Sequence, residues 1–271
     1  MGIALDSSNI RVLFVGDIVG APGRDAAKAL VPRLRREYRL DFVVANCENA
    51  AGGYGVTLPL IRDLLGAGID VLTSGNHIWD KKEVFNFIDE VPGLLRPANY
   101  PPGAPGRGWI VLPCRNDALR VAVVNLSGRV FIDGMDCPFR AWEGIWKQAG
   151  DEADVILVDF HGEATSEKNA FGLFVDGKAS VVAGTHTHVQ TADERILPGG
   201  TGYITDLGMT GPTLSVLGMA FAPALRRLTT ALPTRLEVAA GPTALQGLIA
   251  EVDPTDGKTK GLLRIAQNIS A

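Results

Sequence analysis

The stretch VLFVGDIVGAPGR, residues 12–24, decides how the whole chain is interpreted. The apolar run from Val12 to Val15 predicts a buried strand, and the glycines after it lead into a segment with helical spacing. A strand, a glycine-rich turn and a helix together form a common phosphate-binding arrangement. Asp17, however, puts a negative charge at the strand end, where it would repel a phosphate. Either the loop binds phosphate directly, or Asp17 binds a cation that in turn holds the phosphate.

The composition is that of an ordinary globular protein. The 271 residues are 46% hydrophobic and 21% charged, and the net charge of −4 argues against binding of long nucleic acid, which needs a basic face. The three cysteines are far apart and form no CxxC motif, so reduced thiols are expected. Neither a signal peptide nor an apolar run of about 20 residues is visible, which predicts a cytoplasmic protein without membrane association.

Short apolar runs alternate with helix-like segments in the first two thirds of the chain, a pattern typical of parallel βαβ units. The predicted strands cover 11–16, 41–46, 70–75, 108–113, 119–127, 154–160 and 179–185, and the predicted helices cover 25–37, 58–68, 80–89, 138–149 and 165–175. A hairpin over 195–206 and strands over 235–241, 244–253 and 261–267 follow. The sequence predicts one domain over residues 1–271, with two packed sheets and helices outside.

The carboxyl ends of the predicted strands carry the chemistry, because ligands of parallel sheets bind there. All four histidines of the chain lie at these ends. A lone histidine is more often structural, but four at one sheet edge indicate a site. His186 and His188 are two residues apart, so in an extended chain they point to the same side. The candidate residues are Asp17, Glu48, Asn49, Asn76, His77, His161, His186 and His188.

This set of side chains favours a metal centre. Imidazoles together with carboxylate and amide oxygens suit Fe, Mn, Zn, Ni or Co, whereas Mg and Ca prefer oxygen alone. The candidates other than His77 are too many for one metal with an open position. They suit two metals about 3.5–4 Å apart, bridged by a carboxylate and a water-derived hydroxide.

A dinucleotide-binding site is the alternative. Glu48 stands where a ribose-binding acid would stand at the end of the second strand. The first loop, however, has the form G-x-x-x-G-x-x-G rather than G-x-G-x-x-G, and this alternative leaves the histidines unexplained. We therefore expect Gly20 and Gly23 to let the loop pass close to a crowded metal site, with Asp17 as a ligand.

Four motifs taken together resemble those of the calcineurin-like metallophosphoesterases: GD (16–17), GNH (75–77), a histidine after a strand (161) and GTHTH (184–188). The resemblance spans about residues 12–210 and implies an α/β fold, a four-layer sandwich of two mixed sheets flanked by helices. Val19 departs from the commonest pattern, which opens D-x-H, and Glu48 with Asn49 replaces its G-D-x-x-D. With the segments 48–57 and 75–83, the chain resembles the YmdB-type branch over nearly its whole length.

The resemblance implies a dinuclear-metal-dependent phosphodiesterase. The branch is associated with cyclic nucleotides, including 2′,3′-cyclic ones, so the expected substrate is a small nucleotide phosphodiester, with 3′,5′-cyclic nucleotides as further candidates. Attack comes from a hydroxide that bridges two divalent or mixed-valence transition metals, Fe or Mn before Zn, Ni or Co. His77 is the expected general acid, since imidazole titrates close to working pH. The implied ligands are Asp17, Asn49 and His188 for one metal, Asn76, His161 and His186 for the other, and Glu48 for both.

Several questions stay open in the sequence. A phosphomonoesterase of the same fold, and a metal-dependent nucleotide-sensing regulatory protein with little turnover, are alternatives. Tyr54, Arg129 and Phe131 are candidate substrate contacts, although packing or solvation explains each equally well. Asp80 either orients His77 or, as we favour here, caps the following helix. Residues 218–228 are apolar enough for a homo-oligomer interface, and a core helix explains them equally well.

Overall fold

The computed structural model describes residues 8–269. Two mixed sheets and five α-helices make up its regular structure. The strands are β1 (Ile10–Val15), β2 (Asp17–Ile18), β3 (Phe42–Asn46), β4 (Val71–Thr73), β5 (Trp109–Cys114), β6 (Leu119–Ser127), β7 (Val155–His161), β8 (Val181–Thr185), β9 (Arg195–Ile196), β10 (Gly202–Ile204), β11 (Met209–Pro212), β12 (Thr243–Asp253) and β13 (Lys258–Asn268). The helices are α1 (Gly20–Tyr38), α2 (Leu58–Gly66), α3 (Pro138–Glu152), α4 (Thr165–Phe174) and α5 (Phe221–Thr230).

Each sheet has a parallel centre with antiparallel additions. The first has the order β2-β11-β12-β1-β3-β4, and β13 pairs with β12. In it β1, β3 and β4 are parallel, while β12 runs antiparallel to β1. The second has the order β5-β6-β7-β8-β10-β9, with β6, β7, β8 and β10 parallel. Parallel pairing brings the carboxyl ends of these strands to one edge of each sheet.

The two sheets pack face to face, and helices cover their outer faces. Val12 and Phe14 of β1 share a buried apolar cluster with Val121 of β6 and Leu157 of β7. On the outside, α1 and α2 cover the first sheet, and α3 and α4 cover the second. Strands buried on both faces are continuously apolar, which explains the unbroken run of β1. The predicted four-layer α/β sandwich is confirmed, while the single-domain assignment for residues 1–271 stays a prediction.

Two local predictions of secondary structure are wrong. The helix expected over 80–89 is two short 3₁₀ helices, Lys82–Asn86 and Ile88–Glu90. The strand expected over 235–241 does not form, and only Val238 makes an isolated bridge, to Met219. The alternating apolar residues of this segment have the period of a strand, but its only pairing within residues 8–269 is this single bridge.

The segment 218–228 is not a core helix. It leads into α5, whose Phe221 is 65% exposed and whose Leu228 is 75% exposed, while Ala224 is buried. The helix is apolar on a side that neither sheet covers.

No helix within residues 8–269 combines the length and the apolar character needed to cross a membrane.

The glycines of the first loop let the start of α1 pack closely, and Gly20 also lies beside the candidate site, because its backbone nitrogen donates to the carbonyl oxygen of Asn49 at 3.0 Å. A Cβ at Gly20, which has φ +60°, would lie 2.8 Å from the side chain of Val238. A Cβ at Gly23 would lie 2.2 Å from the carbonyl oxygen of Thr210. These glycines let the start of α1 approach β11 and the segment beyond α5.

Candidate metal centre

The candidate residues from both sheets meet where the parallel strands end. Asp17 is in β2, and Glu48 and Asn49 follow β3. Asn76 follows β4, His161 is the last residue of β7, and His186 and His188 follow β8. The structure brings all seven candidate ligands into one connected group.

One part of this group surrounds the Nε2 atom of His161. Glu48 Oε1 lies 3.2 Å from it, Asn76 Oδ1 lies 3.1 Å from it, and His186 Nδ1 lies 3.0 Å from it. Glu48, His161 and His186 also form a group of potential metal donors whose ligand atoms all lie within 4.8 Å of one another. Two imidazole nitrogens, a carboxylate and an amide oxygen therefore converge on one small volume, which is a donor set for a divalent transition metal.

A second part lies on the other side of Glu48. His188 Nε2 is 3.8 Å from Asp17 Oδ1 and 3.2 Å from the amide nitrogen of Asn49. The same amide nitrogen lies 3.5 Å from Glu48 Oε1. Rotation of the Asn49 amide by half a turn would present its oxygen instead. Glu48 thus stands between two groups of donors, as a bridging carboxylate must.

The carboxylate of Asp17 gives the most direct evidence for a bound cation. Asp17 is fully buried, and its Oδ1 atom has no hydrogen-bond partner within residues 8–269. Burial raises the pKa of Asp17 to about 6, although the nearby His188 acts to lower it. A buried carboxylate oxygen without a partner is costly unless a positive charge faces it. The residues present therefore fit a bound cation.

The pKa shifts of the side chains around His161 also favour a bound cation. Burial opposes charge on both His161 and Glu48, but their mutual attraction outweighs it, so the pKa of His161 is raised and that of Glu48 is lowered. The pKa of His186 falls to about 3, because of burial and the neighbouring His161. The site thus favours positive charge next to Glu48. A divalent cation can take over this role by displacing the proton from His161.

Each candidate histidine ligand is oriented through the nitrogen that faces away from the cluster. His161 Nδ1 lies 3.0 Å from Thr185 Oγ1, which itself donates to Asp159 Oδ1 at 2.7 Å. His186 Nε2 lies 3.1 Å from Glu163 Oε2. His188 Nδ1 lies 3.1 Å from the carbonyl oxygen of Leu217. Acceptors of this kind fix the ring tautomer, and the lone pair of the other nitrogen is left for a metal. His161 Nε2, His186 Nδ1 and His188 Nε2 all face the cluster.

The loop that carries His186 and His188 is anchored from behind by Asp206. Both histidines have positive φ, 100° and 62°, a conformation that the surroundings must enforce. Asp206 Oδ2 accepts hydrogen bonds from the backbone and hydroxyl of Thr187, at 3.1 and 2.7 Å. It also lies 2.7 Å from Lys168 Nζ, and both side chains of this pair are buried. Lys168 and Asp206 therefore hold the histidine loop in place.

Glycine is required at the start of the GNH motif. A Cβ at Gly75 would lie 2.2 Å from Nε2 and Cδ2 of His161. Any other residue at position 75 would displace the imidazole from the cluster. This close approach explains why a glycine precedes Asn76. The sequence alone does not reveal this requirement.

Asp80 contacts His77, so the helix-capping role that we favoured from the sequence is wrong. Asp80 Oδ2 lies 2.8 Å from His77 Nδ1, and the following 3₁₀ helix begins without a side-chain cap. The backbone nitrogen of His77 donates to Glu48 Oε2 at 2.9 Å, and its ring packs edge-on against Tyr54. With Nδ1 bound to Asp80, His77 has Nε2 left for a substrate. Asp80 is a positioning residue for this ring.

We expect the Asp80→Asn substitution to lower turnover of phosphodiesters with poor leaving groups by about tenfold, because the exposed Asp80 helps to orient the His77 ring. Diesters with good leaving groups should be affected less, and bound metal should be unchanged. Steady-state kinetics on both kinds of diester, with metal analysis and Asp63→Asn as a surface control, test this. Equal losses on both kinds of diester would show that Asp80 does not act through His77.

A cleft of about 420 Å³ opens onto these residues. Glu48, Asn49, His77, His186 and His188 line it, together with Tyr54. The residues lining the cleft do not include Arg129 or Phe131, and Phe131 is 86% exposed. Of the three candidate substrate contacts, the geometry therefore favours Tyr54 alone.

Several residues with a place in this site were missed in the sequence. Glu163 and Thr185 contact candidate ligands, and Asp206 contacts the histidine loop. Asp159 and Lys168 act one step further out, through Thr185 and Asp206. Asp159 offered a signal, since it is a charged residue within the apolar run VILVDF. The pairing of Lys168 with Asp206 offered none, because the two are far apart in the chain and lysine is usually exposed.

Comparison with known proteins agrees with this geometry. The sequence profile of a family described as "YmdB-like protein" matches residues 13–265. A 2′,3′-cyclic-nucleotide 2′-phosphodiesterase of Bacillus subtilis is 49% identical over 259 residues, which cover 96% of this chain and 97% of the relative. A crystal structure of a hypothetical protein from Thermus thermophilus has a TM-score of 0.89 at 39% identity and covers 96% of this chain and 99% of its own. A structure described as a novel phosphatase of Mycoplasma pneumoniae has a TM-score of 0.89 at 33% identity, covering 96% and 94%.

The four-layer sandwich and the donors gathered at its strand ends define a protein of the calcineurin-like metallophosphoesterase class. Within that class, the chain belongs to the YmdB-like family. The family implies divalent metals, and the arrangement around His161 and Asp17 suits them. The assignment of individual ligands stays a prediction.

Proposed function

We propose that this protein is a metal-dependent phosphodiesterase that hydrolyses 2′,3′-cyclic nucleotides. The observation that carries the proposal is the convergence of Glu48, Asn76 and His186 on His161, next to a buried carboxylate oxygen of Asp17 that accepts no hydrogen bond within residues 8–269. The name of the Bacillus subtilis relative supports the substrate class. 3′,5′-cyclic nucleotides are further candidate substrates of the same site.

The ligand assignment in this proposal follows the two groups of donors. Asp17, Asn49 and His188 would hold one divalent cation, Asn76, His161 and His186 the other, and Glu48 would contact both. When bound, such cations supply a nucleophile from water at neutral pH and neutralise the phosphate oxygens. Iron and manganese are the metals that we favour, before zinc, nickel or cobalt. We also propose that the protein is located in the cytoplasm.

Side chains of the protein itself would protonate the leaving group. His77 lines the cleft, and Asp80 keeps its ring turned so that Nε2 faces away from that carboxylate. His77 would donate a proton from Nε2 to the departing alkoxide oxygen while the contact between Asp80 and Nδ1 holds the ring in position. Tyr54 packs against the ring of His77, with ring centroids 5.0 Å apart, and so limits its rotation.

The His77→Ala substitution tests the general acid. We expect the variant to keep its metals but to lose about 100-fold in turnover of diesters with poor leaving groups, because the alkoxide must then leave without a proton. Diesters with a nitrophenolate leaving group need no such proton and should lose much less. Kinetics on both substrates combined with metal analysis measure this. Loss of bound metal in the variant would identify His77 as a ligand instead.

A phosphomonoesterase is the second candidate function. The Mycoplasma pneumoniae structure, with its TM-score of 0.89, is described as a phosphatase. Parallel assays on a 2′,3′-cyclic nucleotide and on the corresponding nucleoside monophosphate distinguish the two activities. Hydrolysis of the monophosphate without cleavage of the cyclic diester would overturn the proposed diesterase function.

A further inference from the structure

The cleft beside the candidate metal centre has two chemically different halves. Donors of the candidate centre, with His77 and Glu163, form the polar half. An apolar wall forms the other half, and Arg227 lines the cleft as well. Leu228 on this wall is 75% exposed, so a large apolar side chain faces solvent within the cleft. The apolar wall consists of Val216, Leu217, Met219, Ala224, Leu228 and Leu236.

Hydrogen bonds hold the base of the wall against the centre. Val216 and Met219 exchange two backbone hydrogen bonds of 2.8 and 3.0 Å. The backbone nitrogen of Ala220 donates to the carbonyl of Glu237 at 2.8 Å, which ties the start of α5 to the segment that carries Leu236. The carbonyl oxygen of Leu217 accepts the bond from His188 Nδ1. The wall is therefore a fixed continuation of the candidate centre.

We infer that the apolar wall binds the nucleobase of the substrate, an inference that rests on the proposed function. A phosphate held near Glu48, Asn49 and the histidines leaves the attached nucleoside in the remainder of the same cleft. That cleft, at about 420 Å³, has the size of sites that bury most of a small ligand. The flat apolar faces of a base match leucine and methionine side chains, and the guanidinium of Arg227 can stack on an aromatic ring.

The chemistry of the wall also sets its selectivity. None of its six residues carries a side-chain hydrogen-bonding group. Apolar surfaces discriminate weakly between ligands of similar shape, whereas hydrogen-bonding groups reject the wrong partner strongly. Contact with the wall and stacking on Arg227 therefore accept 2′,3′-cyclic nucleotides without strong preference among bases. The kcat/KM values for the four common bases should agree within about tenfold.

A double variant, Leu228→Ser/Leu236→Ser, tests the wall in the full-length, metal-loaded protein. We expect KM for 2′,3′-cyclic AMP to rise about tenfold, because apolar contact with the base is lost. KM for glycerol 1,2-cyclic phosphate, which carries the cyclic diester but no base, should not change. The matched control is Leu225→Ser/Leu232→Ser, since these exposed leucines lie outside the residues that line the cleft.

The alternatives give different results. Equal changes in KM for both esters, or no change for either, would overturn the base-binding role. A shift from oligomer to monomer in sedimentation, without selective loss for the nucleotide, would make the wall an interface between copies and overturn it as well. Calorimetric binding of adenosine 3′-monophosphate, weakened in the cleft variant but not in the control, supports the wall independently of turnover. Failure of the unaltered protein to hydrolyse either ester, with that binding intact, would overturn the proposed diesterase function alone.

Discussion

The Glu48→Gln substitution is expected to abolish most activity and to release metal. Glu48 lies between the donors around His161 and those around Asp17, so its charge serves both groups. An amide of the same shape keeps the packing but removes the charge that would face the proposed cations. We expect cyclic nucleotide hydrolysis to fall roughly 10⁴-fold, with bound metal reduced from about two ions per chain to one or fewer. Elemental analysis of the purified variant and steady-state kinetics measure the two effects.

An exposed glutamate near the cleft provides the control for Glu48→Gln. Glu237→Gln makes the same chemical change next to Leu236 and should leave metal content and turnover unaltered. Thermal unfolding of both variants separates loss of metal from loss of fold. A Glu48→Gln protein with full metal content and near-normal turnover would refute the central place of Glu48 in the site.

The Lys168→Met substitution is expected to cause the largest loss of stability. It leaves the carboxylate of Asp206 buried without its cation, beneath the loop that carries His186 and His188. Removing one partner of a buried ion pair costs about 3–5 kcal/mol, because the remaining charge is left uncompensated. Urea denaturation should show this decrease in the free energy of unfolding.

A surface ion pair offers the matched comparison. Lys28 lies 3.0 Å from Asp25, but both side chains are largely exposed. Lys28→Met should therefore change the free energy of unfolding by less than about 1 kcal/mol. If Lys168→Met changed stability no more than Lys28→Met, the pair of Lys168 and Asp206 would not hold the loop as inferred.

The candidate site was predictable because parallel strands gather their carboxyl ends. Residues that follow separate strands, such as Asp17, Glu48 and His161, are far apart in sequence, yet the topology alone brings them together. The rarity of histidine in this chain made the pattern visible. The layers of the fold were predictable for a related reason, since strands buried on both faces are continuously apolar.

What the sequence did not reveal depends on contacts between distant or irregular segments. Asp80 reaches His77 because a turn rather than an α-helix follows the GNH motif, and no period marks that turn. The place of α5 was missed because an apolar helix face has the same pattern whether it covers a core or borders a cleft. The anchor formed by Lys168 and Asp206 joins two ordinary residues whose meeting only the tertiary fold determines.

The spacing of His186 and His188 has a consequence for how the site fills. The two histidines belong to different donor groups but share one short loop, pinned at Thr187 by Asp206. Because these bonds already order the loop, an ion at one position of the proposed site would not have to order the histidine of the other. The shared loop would still link the two positions, so exchange of one metal for another that shifts His186 would also shift His188.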